Sequence, residues 1–370
     1  MKALVEPGRA LNDAEKQRYS RHILIPDIDL EGQQRIINAK VLCIGAGGLG
    51  SPTIMYLAAA GVGEIGIVDF DKVDITNLQR QVIHNQSDIG KSKAQSAKEK
   101  VRLLNPNVNV NIYETRLDSS NALSLFEKYD LIIDCTDNFA TRYLVNDAAA
   151  LLGKPYIWGS IYRFDGQTSV FWSKEGPCYR CLHPTPPPAG SVPSCAEGGV
   201  LGTLCGSIGS IQSNEALKLI TGIGKSLLGS LLVFDALDSS FTKLEIKKSL
   251  NCPICTGEQL ELLPDYEAFC GIEDAISVAD LKARQNDYLL IDVREPDENA
   301  DLSIPGAVLI PKIYFENGRA FTDLPKDREI ILHCRSGVRS AQCLTLLRAA
   351  GFTNSTHLKG GIIAWEESKR

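Results

Sequence analysis

Lys40-Val41-Leu42-Cys43-Ile44-Gly45-Ala46-Gly47-Gly48-Leu49-Gly50 decides the fold of this chain. Val41 to Ile44 is a short apolar run of the kind that forms a buried parallel strand. Gly45, Gly47 and Gly50 then spell GxGxxG. Glycines at this spacing permit a tight turn. They also let a phosphate approach the backbone at a helix N-terminus, where unpaired N–H groups and the helix dipole favour anions. Ser51 and Pro52 suit a first helical turn, Met55 to Ala60 continues the helix, and Gly61 can end it. A second apolar run, Ile65 to Val68, completes a βαβ unit and delivers Asp69, 19 residues after Gly50, in place to bind a ribose hydroxyl. Alone, the pattern reads equally as an NAD, FAD or ATP site, or as a plain glycine turn.

The chain has 370 residues, which predicts about two domains. With 44% hydrophobic and 23% charged residues it has an ordinary globular balance. A net charge of −6 argues against a nucleic-acid surface. No apolar run is long enough for a membrane helix, and Met1 to Lys16 lacks the apolar core of a secretory signal. Eleven cysteines without such a signal point to a reducing, cytoplasmic setting, with metal ligands or nucleophiles rather than disulfides.

Residues 11–38 read as a short helical arm whose basic cluster, Arg18 to His22, forms a solvated face. After Asp69, the stretch Asn77-Leu78-Gln79-Arg80-Gln81 is more polar than a dehydrogenase needs, and Arg80 can clamp phosphate oxygens. Gly90 to Leu104 reads as a helix carrying Lys91 and Lys93, and Val108 to Tyr113 as a strand. Leu131 to Ile133 is a buried strand that ends in Asp134-Cys135-Thr136-Asp137-Asn138, acids at the edge where α/β sheets bind ligands. A helix over Ala140 to Leu152 follows, then strands at Tyr156 to Gly159 and Thr168 to Trp172. The proline-rich run Pro184 to Pro193 reads as a mobile crossover loop carrying Cys195. Gly206 to Ile220 is a helix, Leu231 to Phe234 a strand, and Phe241 to Ile246 an edge strand. The domains are placed at residues 1–255 and 274–370, with a linker at 256–273.

Cys178-Tyr179-Arg180-Cys181 and Cys252-Pro253-Ile254-Cys255 form two CxxC pairs with 70 residues between them. Two such pairs make a closed, tetrahedral zinc site that staples distant segments. An iron–sulfur cluster or a redox CxxC are the alternatives.

At this point the order of motifs resembles the MoeB/ThiF family of ubiquitin-activating-enzyme-like adenylyltransferases over about residues 11–255. GAGGLG, Asp69-Phe70-Asp71, Asn77 to Gln81, Lys93, Cys135 to Asn138 and the paired CxxC motifs carry the match. The resemblance implies a Rossmann-like, doubly wound α/β domain and ATP rather than NAD. It implies adenylation of the C-terminal glycine of a ubiquitin-like sulfur carrier protein of the MoaD/ThiS type. Gly45, Gly47 and Gly48 would meet the phosphates and Asp69 the ribose. Asn77, Arg80 and Lys93 would contact the triphosphate, with Thr76, Leu78, Gln79 and Asn138 among the nucleotide-binding positions. Asp137 would hold Mg²⁺. Arg21 resembles an arginine that reaches into a partner subunit's site, which implies a homodimer. Cys195 aligns with a loop cysteine that some members use against the acyl-adenylate; Cys43, Cys135, Cys205 and Cys343 read as packing residues.

Residues 274–369 resemble a small α/β rhodanese domain. Asp292-Val293-Arg294, His333-Cys334-Arg335-Ser336-Gly337-Val338-Arg339-Ser340 and Gly360-Gly361-Ile362-Ile363-Ala364-Trp365 carry this second match. A cysteine between a strand end and a helix start sits in a cradle of backbone N–H groups that favours a thiolate or persulfide, and Arg335 and Arg339 add positive charge. A tyrosine-type phosphatase would need arginine six positions after the cysteine, where this chain has Ser340. The combined expectation is an enzyme that activates the carrier and passes it sulfur from a Cys334 persulfide, yielding a thiocarboxylate. Its sulfur donor would be a cysteine desulfurase or thiosulfate. A purely docking or regulatory rhodanese unit, and an NAD-dependent oxidoreductase with a zinc staple, are the competing readings.

Overall fold

The computed structural model describes residues 1–187, 198–270, 275–284 and 288–369. The chain divides into two compact units, the first running to Tyr266 and the second taking up Glu267–Arg370.

In the first unit the apolar runs become strands β1 (Lys40–Ile44), β2 (Glu64–Val68), β3 (Asn109–Tyr113), β4 (Leu131–Asp134), β5 (Tyr156–Tyr162), β6 (Asp165–Phe171), β7 (Ser230–Asp235) and β8 (Ser240–Glu245). They form one sheet in the order β3-β2-β1-β4-β5-β6-β7-β8. β3, β2, β1, β4 and β5 run parallel, and β5 to β8 continue antiparallel. The strand order reverses between β1 and β4, where Ile44 lies opposite both Val68 and Asp134. A crevice opens at such a point because the connecting helices leave on opposite faces.

The core follows from this topology. Val41, Leu42, Cys43, Ile65, Ile67, Leu131, Ile132 and Ile133 are completely buried, as strands covered on both faces require. Burying each such side chain contributes roughly 1.5–3 kcal/mol. Helix Gly50–Ala60 crosses helix Gly202–Thr221 closely at Gly209, where a Cβ would come within 2.5 Å of Pro52 Cγ. Helix Gly50–Ala60 stops at Gly61, whose φ of +87° suits glycine.

Some expectations shift. The helix expected from Gly90 starts at Lys93, because the Ser92 hydroxyl caps it by accepting from Gln95 N; Lys91 stays outside and pairs with Asp88 and Glu99. The basic cluster at residues 18–22 is not wholly solvated: Tyr19 is buried and its hydroxyl accepts from Asn105 Nδ2 at 2.9 Å. Most of the proline-rich loop, with Cys195, lies outside the described residues. A buried polar knot fastens the segment after the second CxxC pair to the first unit. The Asp147 carboxylate accepts from Arg180 Nε and Nη2 at 2.8 and 2.7 Å, from Tyr266 Oη at 2.7 Å and from Gln259 Nε2 at 3.1 Å.

The second unit is built on β9 (Ala275–Ile276), β10 (Tyr288–Asp292), β11 (Val308–Leu309), β12 (Glu329–His333) and β13 (Ser355–Leu358). All are parallel, in the order β11-β10-β12-β13-β9. Asp292, fully buried at the end of β10, takes donors from Arg294 and from Asn299 Nδ2. Burial pushes this carboxyl up, but Arg294, His333 and Asn299 together hold it below its ordinary value.

Candidate active site

The strand ends β1, β2, β3 and β4 open on a cleft of about 220 Å³. Gly45, Gly47, Gly48, Asp69, Arg80, Lys93, Asp137 and Asn138 line it, drawn together from the three connections that follow β1, β2 and β4. The glycine loop is braced. Ala46 N donates to Asp69 Oδ2 at 2.8 Å, and Ala46 O accepts from His84 Nε2 at 3.0 Å. His84 in turn meets Ser96 Oγ at 2.8 Å, and burial lowers its pKa so that it stays neutral. Gly48 has no room for a side chain, since a Cβ would lie 2.8 Å from Cys205 Sγ.

Charges are set within the cleft. Burial raises the pKa of Asp69, opposed by Lys93 and by the N–H groups of Ala46 and Asp71. Lys93 Nζ lies 2.8 Å from Asp71 Oδ2. Three buried polar atoms near the cleft, Gln81 Oε1, Asp134 Oδ2 and Arg142 Nε, have no hydrogen-bond partner among the described residues. Burying polar atoms without partners is costly, so their presence beside a cleft points to a polar ligand.

Thr76, Asn77, Leu78, Gln79 and Arg21 do not line the cleft. Asn77 Oδ1 instead accepts from Asp74 N at 3.1 Å, and the Thr76 hydroxyl donates to Asp74 Oδ1 at 2.7 Å, closing a capping box around a short turn. Arg21 stands exposed on the one-turn helix Ser20–Ile23. The cleft also recruits Asp71, Gln81, Arg116, Thr136 and Arg142, to which the sequence reading gave no role. Arg116 comes three residues after β3, so the rule that ligands gather beyond the C-terminal ends of parallel strands would have found it.

The four cysteines meet. Their sulfurs all lie within 4.8 Å of one another, with separations of 3.8 Å for Cys178–Cys181, 3.5 Å for Cys178–Cys252 and 3.6 Å for Cys181–Cys255. A tetrahedron of sulfurs about 2.3 Å from a central zinc has edges of about 3.8 Å, so the set fits that ion. Each pair straddles the start of a one-turn helix, Tyr179–Leu182 or Pro253–Thr256. Cys181 Sγ also accepts from Ser249 N at 3.4 Å. With four protein ligands the site is closed to substrate.

In the second unit β12 delivers Cys334 to the start of helix Val338–Ala349. Gly337, with φ of +100°, turns the loop so that its N–H donates to Cys334 Sγ at 3.2 Å. The closing glycines press on this loop: Ile362 N donates to Cys334 O at 2.8 Å, and a Cβ on Gly361 would lie 2.3 Å from that oxygen. Arg335 is exposed. Arg339 does not add free charge to the sulfur as expected, because its guanidinium makes two hydrogen bonds to Glu298, at 2.6 and 2.7 Å.

Known proteins share both units. Residues 19–254 match the ThiF family and residues 277–368 the rhodanese-like domain. The chain is 55% identical to the probable adenylyltransferase/sulfurtransferase MoeZ of Mycobacterium tuberculosis, over 98% of this chain and 95% of that one. It is 52% identical to a sulfur carrier protein adenylyltransferase of Thermus thermophilus, over 70% of this chain and 97% of the other. It is 39% identical to the adenylyltransferase and sulfurtransferase MOCS3 of Culex quinquefasciatus, over 96% and 88%. The crystal structure of E. coli MccB with ATP has the same fold, with a TM-score of 0.59 and 22% identity over 68% of this chain and 77% of that one. With the cleft, the four-cysteine cluster and the Cys334 loop all in their places, the chain belongs to the ThiF family and carries a rhodanese-like domain behind its adenylyltransferase-type unit.

Proposed function

We propose that this chain is a bifunctional enzyme that activates a ubiquitin-like sulfur carrier protein with ATP and then furnishes the sulfur. The observation that carries the reading is a cation-lined cleft at the strand-order reversal in the same chain as a cysteine cradled by a loop N–H; a relative 55% identical to this chain is named adenylyltransferase/sulfurtransferase. In the first step a carboxylate oxygen of the carrier's C-terminal glycine attacks the α-phosphorus of ATP. The bond to the bridging oxygen breaks, and pyrophosphate leaves with the electron pair. The glycine loop and Asp69 hold the nucleotide, while Arg80 and Lys93 neutralise its phosphates, since charge held in place lowers the barrier. Asp137 would hold Mg²⁺, which supplies further neutralisation of the phosphates.

In the second step the outer sulfur of a Cys334 persulfide attacks the acyl carbonyl, AMP leaves, and an acyl disulfide forms. A thiol, for which Cys195 is our assignment, then attacks Cys334 Sγ. The S–S bond breaks and the carrier departs as a thiocarboxylate. The resulting Cys334–Cys195 disulfide is reopened by a cellular thiol reductant. A cysteine desulfurase or thiosulfate would load Cys334. Zinc on Cys178, Cys181, Cys252 and Cys255 is structural, and a homodimer would bring Arg21 of one subunit to the other's cleft. Among the described residues no helix is long and apolar enough to cross a membrane.

The test is pyrophosphate exchange and intact-mass measurement of a carrier incubated with the protein, ATP and thiosulfate. Asp137→Ala and Lys93→Ala should each abolish carrier-dependent exchange in a folded protein. Wild type should add one sulfur in place of one oxygen to the carrier, and Cys334→Ala should not. Full exchange in both cleft variants, or tight NADH binding by wild type, would refute the first half. Sulfur addition by Cys334→Ala would refute the second and leave the rhodanese-like unit as a docking module.

A further inference from the structure

The Cys334 loop contains a contact that the reaction above leaves unused. Ser340 Oγ lies 3.6 Å from Cys334 Sγ, 2.9 Å from Gly337 O and 3.2 Å from His357 Nδ1. Ser340 is wholly buried, as is Cys334, and His357 is nearly so. β13 runs beside β12 with His357 opposite Leu332. The imidazole is thus set under the loop, its Cε1 within 3.8 Å of where a Gly337 Cβ would be.

A hydroxyl has one hydrogen to donate and can accept others. Here three neighbours compete for it. We infer that His357 carries its hydrogen on Nδ1, donates it to Ser340 Oγ, and so commits the serine hydroxyl hydrogen to the Cys334 sulfur whenever that sulfur is anionic. His357 is then a positioning residue and Ser340 the group that touches the reacting atom. The inference rests on the reading of Cys334 as the sulfur carrier.

The chemistry makes the sulfur anionic twice. In loading, the Cys334 thiolate attacks the outer sulfur of thiosulfate, the S–S bond breaks and sulfite leaves with the electron pair. In discharge to cyanide, the cyanide carbon takes the outer sulfur, the persulfide S–S bond breaks and Cys334 is the leaving thiolate. A buried anion without donors is costly. Arg339 is engaged by Glu298 and Arg335 is exposed. Among the described residues, the close donors to Cys334 Sγ are the Gly337 N–H and the Ser340 hydroxyl.

The experiment measures thiosulfate-to-cyanide sulfurtransfer by the full chain at fixed pH, with thermal unfolding of every variant. Ser340→Ala should lower the rate by roughly tenfold or more, the size expected of a hydrogen bond to a charged atom. His357→Leu should lower it in the same direction. His357→Asn, whose side-chain N–H falls close to the position of Nδ1–H, should recover most of the loss. Packing alone would not separate Asn from Leu in that sense. If Ser340→Ala does not fold, the His357 pair decides. Equal impairment of His357→Asn and His357→Leu, or a wild-type rate in a folded Ser340→Ala whose Cys334→Ala counterpart is dead, overturns the inference and leaves the carrier reading standing. Full activity in Cys334→Ala overturns both.

Discussion

Asp147→Ala tests how the first unit is held together. The carboxylate is fully buried and accepts five hydrogen bonds from four residues: Asn146, Arg180 twice, Gln259 and Tyr266. Arg180, 4% exposed, is further boxed in by the Tyr143 ring, 5.0 Å from its guanidinium carbon. It cannot swing to water, so removing Asp147 strands a buried cation. Breaking a buried ion pair from one side costs about 3–5 kcal/mol, a large share of the roughly 5–15 kcal/mol that stabilises a domain. For a unit of this size each kcal/mol moves the melting temperature by about 2–4 °C, so a drop of roughly 6–20 °C is expected. Calorimetry gives the transition, and fluorescence of Trp158, whose ring lies 5.5 Å from that of Tyr179, assigns it to the first unit. The double variant Asp147→Leu/Arg180→Met leaves no lone charge and should be less destabilised than Asp147→Ala. If Asp147→Ala melts with wild type, or the double variant falls by the sum of the single losses, the argument from a desolvated pair is wrong.

Three further outcomes follow from single contacts. Gly48→Ala should weaken ATP binding, because its Cβ would press on Cys205 Sγ, and Cys205→Ala should restore binding in the double variant, as nucleotide titration would reveal. Cys252→Ser should lose bound zinc by metal analysis and lower stability rather than selectively stop adenylation, since a closed site offers no position for substrate. The Glu15 carboxyl is held at about 2, against an ordinary 4.5, chiefly by its hydrogen bond from Arg9. A depressed carboxyl stabilises the fold fully above its ordinary value and ceases to do so as pH falls towards the depressed one. Melting between those pH values should therefore show a loss that Arg9→Ala removes.

The βαβ unit was legible because its signals are local: an apolar run, glycines at fixed spacing and an acid one strand later. The Cys334 loop was legible for the same reason. What escaped the sequence depends on partners distant in the chain. Arg339 reads as a free charge until Glu298, 41 positions away, is brought against it. The Asn77 Oδ1 is also taken up by the Asp74 N–H, a local cap that the motif alone does not announce. Strand β13, Ser355–Leu358, has neither clean alternation nor a purely apolar run, because three polar residues, Ser355, Thr356 and His357, are buried by tertiary packing. Arg116 and Arg142 enter the cleft only once β3 and β4 lie side by side with β1 and β2.

The four-sulfur cluster also bears on how quickly the chain reaches this fold. Cys178 and Cys252, 74 positions apart, are the ends of a ring that holds helix Gly202–Thr221 and both β7 and β8. Bringing such ends together costs an unfolded chain about 4 kcal/mol of entropy. A metal gripped early by both CxxC pairs settles that cost before any strand has paired. β6 lies just before Cys178, outside the ring, so its later meeting with β7, in which Gln167 finds Val233, becomes a search over the shorter path through the metal instead of along the open coil between them. Topology of this kind governs rates more than endpoints. Metal supply during refolding should accordingly change the time taken to acquire the antiparallel half of the sheet, while the parallel half, whose crossovers lie outside the ring, forms on its own schedule.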